Sequence, residues 1–290
     1  MASDQHETIE AGSTRQSQRK ATSVSYWRYW KMSGPPFAFS TRQALHRGDT
    51  VEEALARIEF LISNRRQVAT LIGPSGCGKT ALLRYVVRHP PITAEVPAVH
   101  AVRLSLIGLD AGDMFCELAA RLIGGGRAED SRSAWNAVED YLRSQWQEEV
   151  QLALLLDDME SALPAAQADV GRLLATPLPV TIVLSVAQEA LGALSPELRT
   201  RSELNIDLPA WTTDQTGQFL AWACERVGRP DPIFTQAAIE RLQQLSGGIA
   251  RCLIQAADLA LVAGAVAGEQ QIDADCIDQV AAELPKAVAA

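Results

Sequence analysis

Cysteine is scarce and unpatterned in this 290-residue sequence: Cys77, Cys116, Cys224, Cys252 and Cys276 are odd in number and form no CxxC pair. That spacing excludes a disulfide framework and a zinc site, and leaves reduced thiols. His6, His46, His89 and His100 are equally dispersed, so no metal cluster of their making is expected. Residues 1–20 have no apolar stretch of the kind a secretory signal needs. The longest apolar run, Cys252 to Gly268, contains Gln255 and Asp258. It is too short and too polar to span a bilayer and reads as a buried helix. These absences point to a soluble, cytoplasmic chain without a membrane span. Positive charge is also in deficit, with 26 Lys and Arg against 35 Asp and Glu, a net charge of −9. An acidic surface repels phosphate backbones, which disfavours indiscriminate DNA binding. Only local patches such as Arg65-Arg66 and RQSQRK (15–20) leave DNA open.

What is present is apolar material, 47% of the chain, enough for one large domain or a medium one plus a small one. Residues 1–22, rich in Ser, Gln, Thr and charge, read as a disordered tail. Residues 23–49 carry aromatics in YWRYW and PFAF, either as a partner-binding surface or as a strap packed along a ligand pocket. TVEEALARIEFLISNRR then has helical spacing and a capping box of Thr50 with Glu53. Short apolar strands are expected at Gln67–Ile72, Val99–Leu104, Leu152–Leu156, Val180–Ser185 and Leu204–Leu208. Helical patterns, including Asp113–Leu122 and Ser133–Trp146, separate most of them. Alternation of this kind implies a parallel sheet covered on both faces, an αβα domain over residues 50–208. From residue 209 to 290 four helical stretches follow with no strand between them. Thr213, Thr235 and Asp273 are candidate caps of this all-helical domain.

The strongest local signal is LIGPSGCGKTALL. Gly73, Pro74, Ser75, Gly76, Cys77, Gly78, Lys79 and Thr80 fit GxxxxGK[ST] in full, between a strand and a helix. Glycines let the backbone curl so that successive N–H groups face a β-phosphate, and the following helix, entered at Ala81, adds its positive end. Lys79 supplies a point charge for the β- and γ-phosphates, and Thr80 a hydroxyl for magnesium. The implied ligands are ATP or ADP with Mg2+. Cys77 takes a free position of the loop, as a small tolerated side chain or as an oxidation switch.

LALLLDDME is a buried strand ending in carboxylates. Asp157 is placed to reach magnesium and its waters. The next residue should polarise an attacking water, and Asp158 is one methylene shorter than the usual glutamate. Glu160 has the length but lies two residues further on. Both also suit a solvated helix start favoured by the helix dipole. Ser185, at the expected end of the fourth strand, or Gln188 just after it, is a candidate for orienting the γ-phosphate or the water, because ligands lie at the carboxyl ends of such strands.

Together these residues resemble the AAA+ ATPases: the phosphate loop, the strand ending in Asp157, the polar strand end, and the arginine of SGGIARC. The spacing is similar to the ExeA-type ATPases of bacterial secretion and their relatives of the TniB transposition kind. The likeness runs from about Gly34 to Leu284 and includes PPF, EALARIEFLI, AQEAL…PELRTR and LSGGIARCLIQAADLALVAG. It implies a P-loop three-layer fold with a helical lid. Arg251 would touch the γ-phosphate within its own subunit, and Arg199 or Arg201 would reach a neighbour's nucleotide. It implies, further, a homo-oligomer that remodels or recruits a protein partner, with a nucleotide-gated switch or a DNA-associated assembly factor as alternatives. The sequence departs from the pattern in three places. Asp158 is similar to the LDD ending of slow signalling ATPases, Ala250 stands where a proline is expected, and the membrane span and cell-wall module of ExeA-type proteins are not in this sequence. A secretory role is therefore not implied.

Overall fold

The computed structural model describes residues 25–38, 45–110, 112–124, 130–178 and 180–282. The expected tail at 1–22, with its RQSQRK patch, and the end of the family likeness at Leu284 lie outside them. The chain opens with a short helix α1 (Tyr26–Tyr29), then α2 (Asp49–Ser63), β1 (Val68–Gly73), α3 (Lys79–Arg88) and β2 (Ala98–Ser105). There follow α4 (Asp113–Ile123), α5 (Ser131–Gln147), β3 (Val150–Asp157), α6 (Pro164–Leu174), β4 (Val180–Ala187), α7 (Pro196–Arg201) and β5 (Leu204–Asp207). Four helices finish it: α8 (Thr213–Glu225), α9 (Gln236–Ser246), α10 (Ala250–Ala267) and α11 (Ala274–Ala281).

The five strands form one parallel sheet in the order β2-β3-β4-β1-β5. Side chains alternate across a strand, so β3 sends Leu152, Leu154 and Leu156 to one face and Ala153 and Leu155 to the other. The first face packs on α4, α5 and α6 through Phe115, Trp135 and Val170, the second on α2 and α3 through Ile58, Leu61 and Leu82. Both faces are covered, which is why β3 and β4 are apolar without a break. The expected αβα architecture with a helical C-terminal part is what the chain adopts.

A third apolar cluster joins α8 to α11 and takes in Trp30, Met32 and Phe37 from the start of the chain. Trp30 donates its indole N–H to the Leu261 carbonyl at 2.8 Å, and the Tyr26 hydroxyl bonds Asp258, so this segment is fastened to α10. By length and composition alone α10 is apolar enough to cross a bilayer. Here it packs in this cluster, with Leu253, Ala256, Ala257, Ala260 and Leu261 buried.

Two caps differ from expectation. Helix α2 is capped by Gly48 without a side-chain bond. The Thr50 hydroxyl instead accepts from the Gln215 side chain at 2.9 Å, a partner 165 residues away. The cap of α8 is Thr212 rather than Thr213, in a reciprocal capping box with Gln215. Thr235 and Asp273 cap α9 and α11 as expected.

Candidate functional site

The turn after β1 is shaped by close approach and by backbone conformation. A Cβ at Gly73 would lie 2.2 Å from the Leu208 carbonyl oxygen, so only glycine fits there. Gly78 takes φ 113°, which an L side chain rarely adopts, and hands the chain to α3 at Lys79. The Lys79 ammonium is turned back into the turn, donating to the carbonyls of Gly73 at 2.6 Å and Pro74 at 3.0 Å. The Ser75 N–H donates to the Glu189 carboxylate at 3.3 Å, so an anionic group already lies against this loop. Burial, as the largest cause, raises the Cys77 thiol above its usual pKa, which disfavours the reactive thiolate.

A cavity of about 600 Å³ opens over this turn. Ser75 to Leu82 form its floor, and Asp157, Asp158 and Glu160 come in from the end of β3. Arg251 and Gln255 reach it from α10. Three cations (Lys79, Arg84, Arg251) thus face three carboxylates across one space. The α10 start is held there by backbone: the Arg251 N–H donates to the Gly76 carbonyl at 3.1 Å. Just before α10, Gly248 lies tight against the chain leaving β5: a Cβ on it would lie 2.2 Å from the Trp211 carbonyl oxygen.

Each carboxylate already has a partner. Asp157 is 1% exposed and its Oδ2 accepts from Arg103 Nη1 at 2.7 Å. Asp158 sits in left-handed backbone (φ 60°) and accepts from the Ser105 hydroxyl at 2.7 Å. Glu160 accepts from the Ala187 N–H at 3.2 Å, at the end of β4. Among the described residues no group of three or more His, Cys, Asp or Glu is placed to hold a metal ion. The donor set therefore fits magnesium only as a shared ligand, with Thr80 and Asp157 completing a shell begun by phosphate oxygens.

Ser75 through Ala81, Asp157, Asp158, Glu160 and Arg251 are brought together; Gly73 and Pro74 form the turn behind the lining. Ser185, Gln188, Arg199 and Arg201 are not in the lining. Strand β4 runs on to Ala187, so Ser185 is not a strand end: it pairs opposite Leu71, fully buried, its hydroxyl without a partner. Arg201 lies on the exposed surface of α7, bonded to the Leu174 carbonyl at 3.3 Å and near Glu197 at 3.4 Å.

The other wall draws on the 23–49 segment expected to pack along a pocket, through Leu45 and His46 and not through the described aromatics of YWRYW and PFAF. It is made by Leu45 and His46 with Trp211, Phe219 and Trp222. The His46 ring lies 5.1 Å from Trp222 and 5.8 Å from Phe219, its Nε2 is buried without a partner, and burial lowers its pKa. The aromatics expected to line a pocket, Tyr26, Trp27, Trp30 and Phe37, pack on the helical cluster instead; Phe39 lies outside the described residues. For the rest of this wall the local sign is Trp211, a large apolar residue just beyond the end of β5.

Residues 62–194 match the model of a family described as AAA domain. General secretion pathway protein A of Aeromonas hydrophila is 24% identical over 260 residues, covering 85% of this chain and 46% of that protein. The chain thus spans about half the length of this curated relative. Its fold is similar to that of the Aeropyrum pernix ORC2 protein, solved as ADPNP-ADP complexes, with a TM-score of 0.61, 18% identity, and coverage of 86% of this chain and 71% of that one. It is also similar to the Thermotoga maritima RuvB Holliday junction branch migration motor, with a TM-score of 0.54, 19% identity, and coverage of 82% and 70%. The resemblance carried by the motifs is met: residues 62–194 match an AAA domain, the chain is similar to general secretion pathway protein A, and its fold is similar to that of these solved proteins.

Proposed function

We propose that this chain, built around an AAA domain, binds ATP in the 600 Å³ cavity and hydrolyses it slowly with magnesium, as an assembly of copies acting on a protein partner in the cytoplasm. The observation that carries this reading is the meeting of the glycine turn, Asp157 and Arg251 around one space. In it residues 50–208 are the nucleotide-binding domain and residues 209–290 a lid.

The roles follow from chemistry and position. Lys79 would exchange the carbonyls of Gly73 and Pro74 for β- and γ-phosphate oxygens, a charge-assisted bond replacing neutral ones. The Gly76–Ala81 backbone and the start of α3 would hold the phosphates. Magnesium, when bound, supplies positive charge to the transferred phosphoryl, with Thr80 and Asp157 as its protein ligands. Asp158 or Glu160 would orient the attacking water, Asp158 from a shorter reach. Ser185 would act from behind Asp157, on the same face of the sheet. Arg251 would report the γ-phosphate to α10. Arg199 or Arg201, away from its own cavity, would serve a neighbour's; arginines supplied in trans are worth about 10³–10⁵ in rate elsewhere.

One observation favours a second reading, a nucleotide-gated switch with little turnover. All three carboxylates are engaged by protein groups through one oxygen, which restrains how they can turn toward a water or a metal ion. Turnover of MgATP measured against protein concentration separates the two. A specific rate that climbs with concentration and vanishes in Lys79→Ala supports the assembled hydrolase. Tight ATP binding with no turnover at any concentration supports the switch, and absence of ATP binding sinks both.

A further inference from the structure

Adjoining the nucleotide cavity, with Arg84 in the lining of both, a second space of about 440 Å³ runs along β2, the edge strand of the sheet. Four guanidinium side chains line it: Arg84 and Arg88 from α3, Arg103 from β2 and Arg121 from α4, with Val87 and Ala101 beneath. In a chain of net charge −9 this gathers one sign from three elements around one opening. Like charges so placed repel one another and raise the local potential for an anion.

Two of the four are anchored in ways that leave them facing the space. Arg103 holds Asp157 through Nη1 alone. Arg121 pairs with Glu117 one turn back and donates to the Arg103 carbonyl, which curls it round the open edge of the sheet. Arg84, on an exposed face of α3, has no hydrogen bond or ion pair among the described residues. Carboxylates therefore answer only part of the positive charge.

We propose that this cavity, whose lining contains no residue of the glycine turn, is a second anion site and that it takes a phosphate group. Planar guanidinium forks match phosphate oxygens two at a time. A terminal phosphate group carries about −1.5 to −2 charges on three oxygens and can satisfy several arginines at once, where a carboxylate offers one charge and two oxygens; a backbone diester offers one charge on two oxygens but repeats it along the strand. The phosphate is either free, as in pyrophosphate, or part of a nucleic-acid backbone.

The full chain is tested in magnesium-free buffer with saturating ADP, so that the glycine turn is filled. Pyrophosphate is titrated calorimetrically, and a fluorescent duplex of about 20 base pairs is followed by anisotropy at low and high salt. Binding of pyrophosphate assigns the free source, and salt-dependent binding of the duplex alone assigns the backbone source. In either case Arg88→Gln/Arg121→Gln, which leaves the nucleotide cavity untouched, should weaken binding at least tenfold, a change of about 1.4 kcal/mol. Arg88→Lys/Arg121→Lys keeps the charge and removes the fork, and should lose roughly threefold; it serves if the glutamine pair fails to fold. Binding that ADP displaces, binding unchanged in these variants, or no binding of either probe overturns the proposal.

Discussion

The glycine turn and the end of β3 face one cavity but are built differently. The turn is backbone, held by close approach at Gly73 and by the left-handed conformation at Gly78, with the Ser75 N–H on Glu189 and the Cys77 N–H on the Pro74 carbonyl. The end of β3 is side chain. Asp157, Asp158 and Glu160 each spend an oxygen on Arg103, Ser105 or Ala187. One side meets a nucleotide through main-chain donors, the other through carboxylates that each have a second oxygen beside the one already bonded. That difference gives binding and hydrolysis separate physical origins, and so makes them separable by mutation.

The largest effect expected on the turn side is from Lys79→Ala. Loss of the ammonium that faces Gly73 and Pro74 should lower ATP affinity about 10³-fold, roughly 4 kcal/mol, with the fold retained. Isotherms within tenfold of wild type would break the comparison at its stronger end. On the carboxylate side, Arg103→Leu should cost about 3 kcal/mol in urea unfolding, because Asp157 is left buried without its partner. Adding Asp157→Asn should recover part of that loss. If the two changes simply add, the pair is not coupled and Asp157 is not restrained by Arg103.

Next comes the choice of water-orienting group. Asp158→Asn keeps a residue that tolerates left-handed backbone and removes only the charge. It should cut turnover about 10²-fold, with Glu160→Gln losing only a few-fold and ATP affinity steady in both. The reverse order would transfer the role to Glu160. The smallest change is expected from Arg251→Ala, which should weaken ATP about fivefold, since the Gly76 contact to α10 is made by backbone and survives the substitution. A loss as large as that of Lys79→Ala would make the helical part a primary phosphate binder.

Legibility followed the same divide. The turn and Asp157 are contiguous signals: glycine spacing with Lys79-Thr80, and an apolar strand that stops at a carboxylate. The parallel sheet was equally readable, because strands buried on both faces must be apolar throughout. What could not be read depends on distant partners. Thr50 looked like a cap until Gln215 took its hydroxyl, and nothing local to Asp157 announces Arg103 fifty-four residues earlier. The wall of His46, Trp211, Phe219 and Trp222 is assembled from separate segments. Ser185 was placed at a strand end because it is polar, but Val186 and Ala187 continue the pairing with β1.

The most direct test of the account is equilibrium binding of ATP to Asp157→Asn, measured beside wild type and Lys79→Ala. If the turn holds nucleotide by itself, Asp157→Asn binds ATP within about threefold of wild type while its magnesium-dependent turnover is lost. An affinity that falls as far as that of Lys79→Ala would contradict the account, because holding and hydrolysis would then share one structural origin.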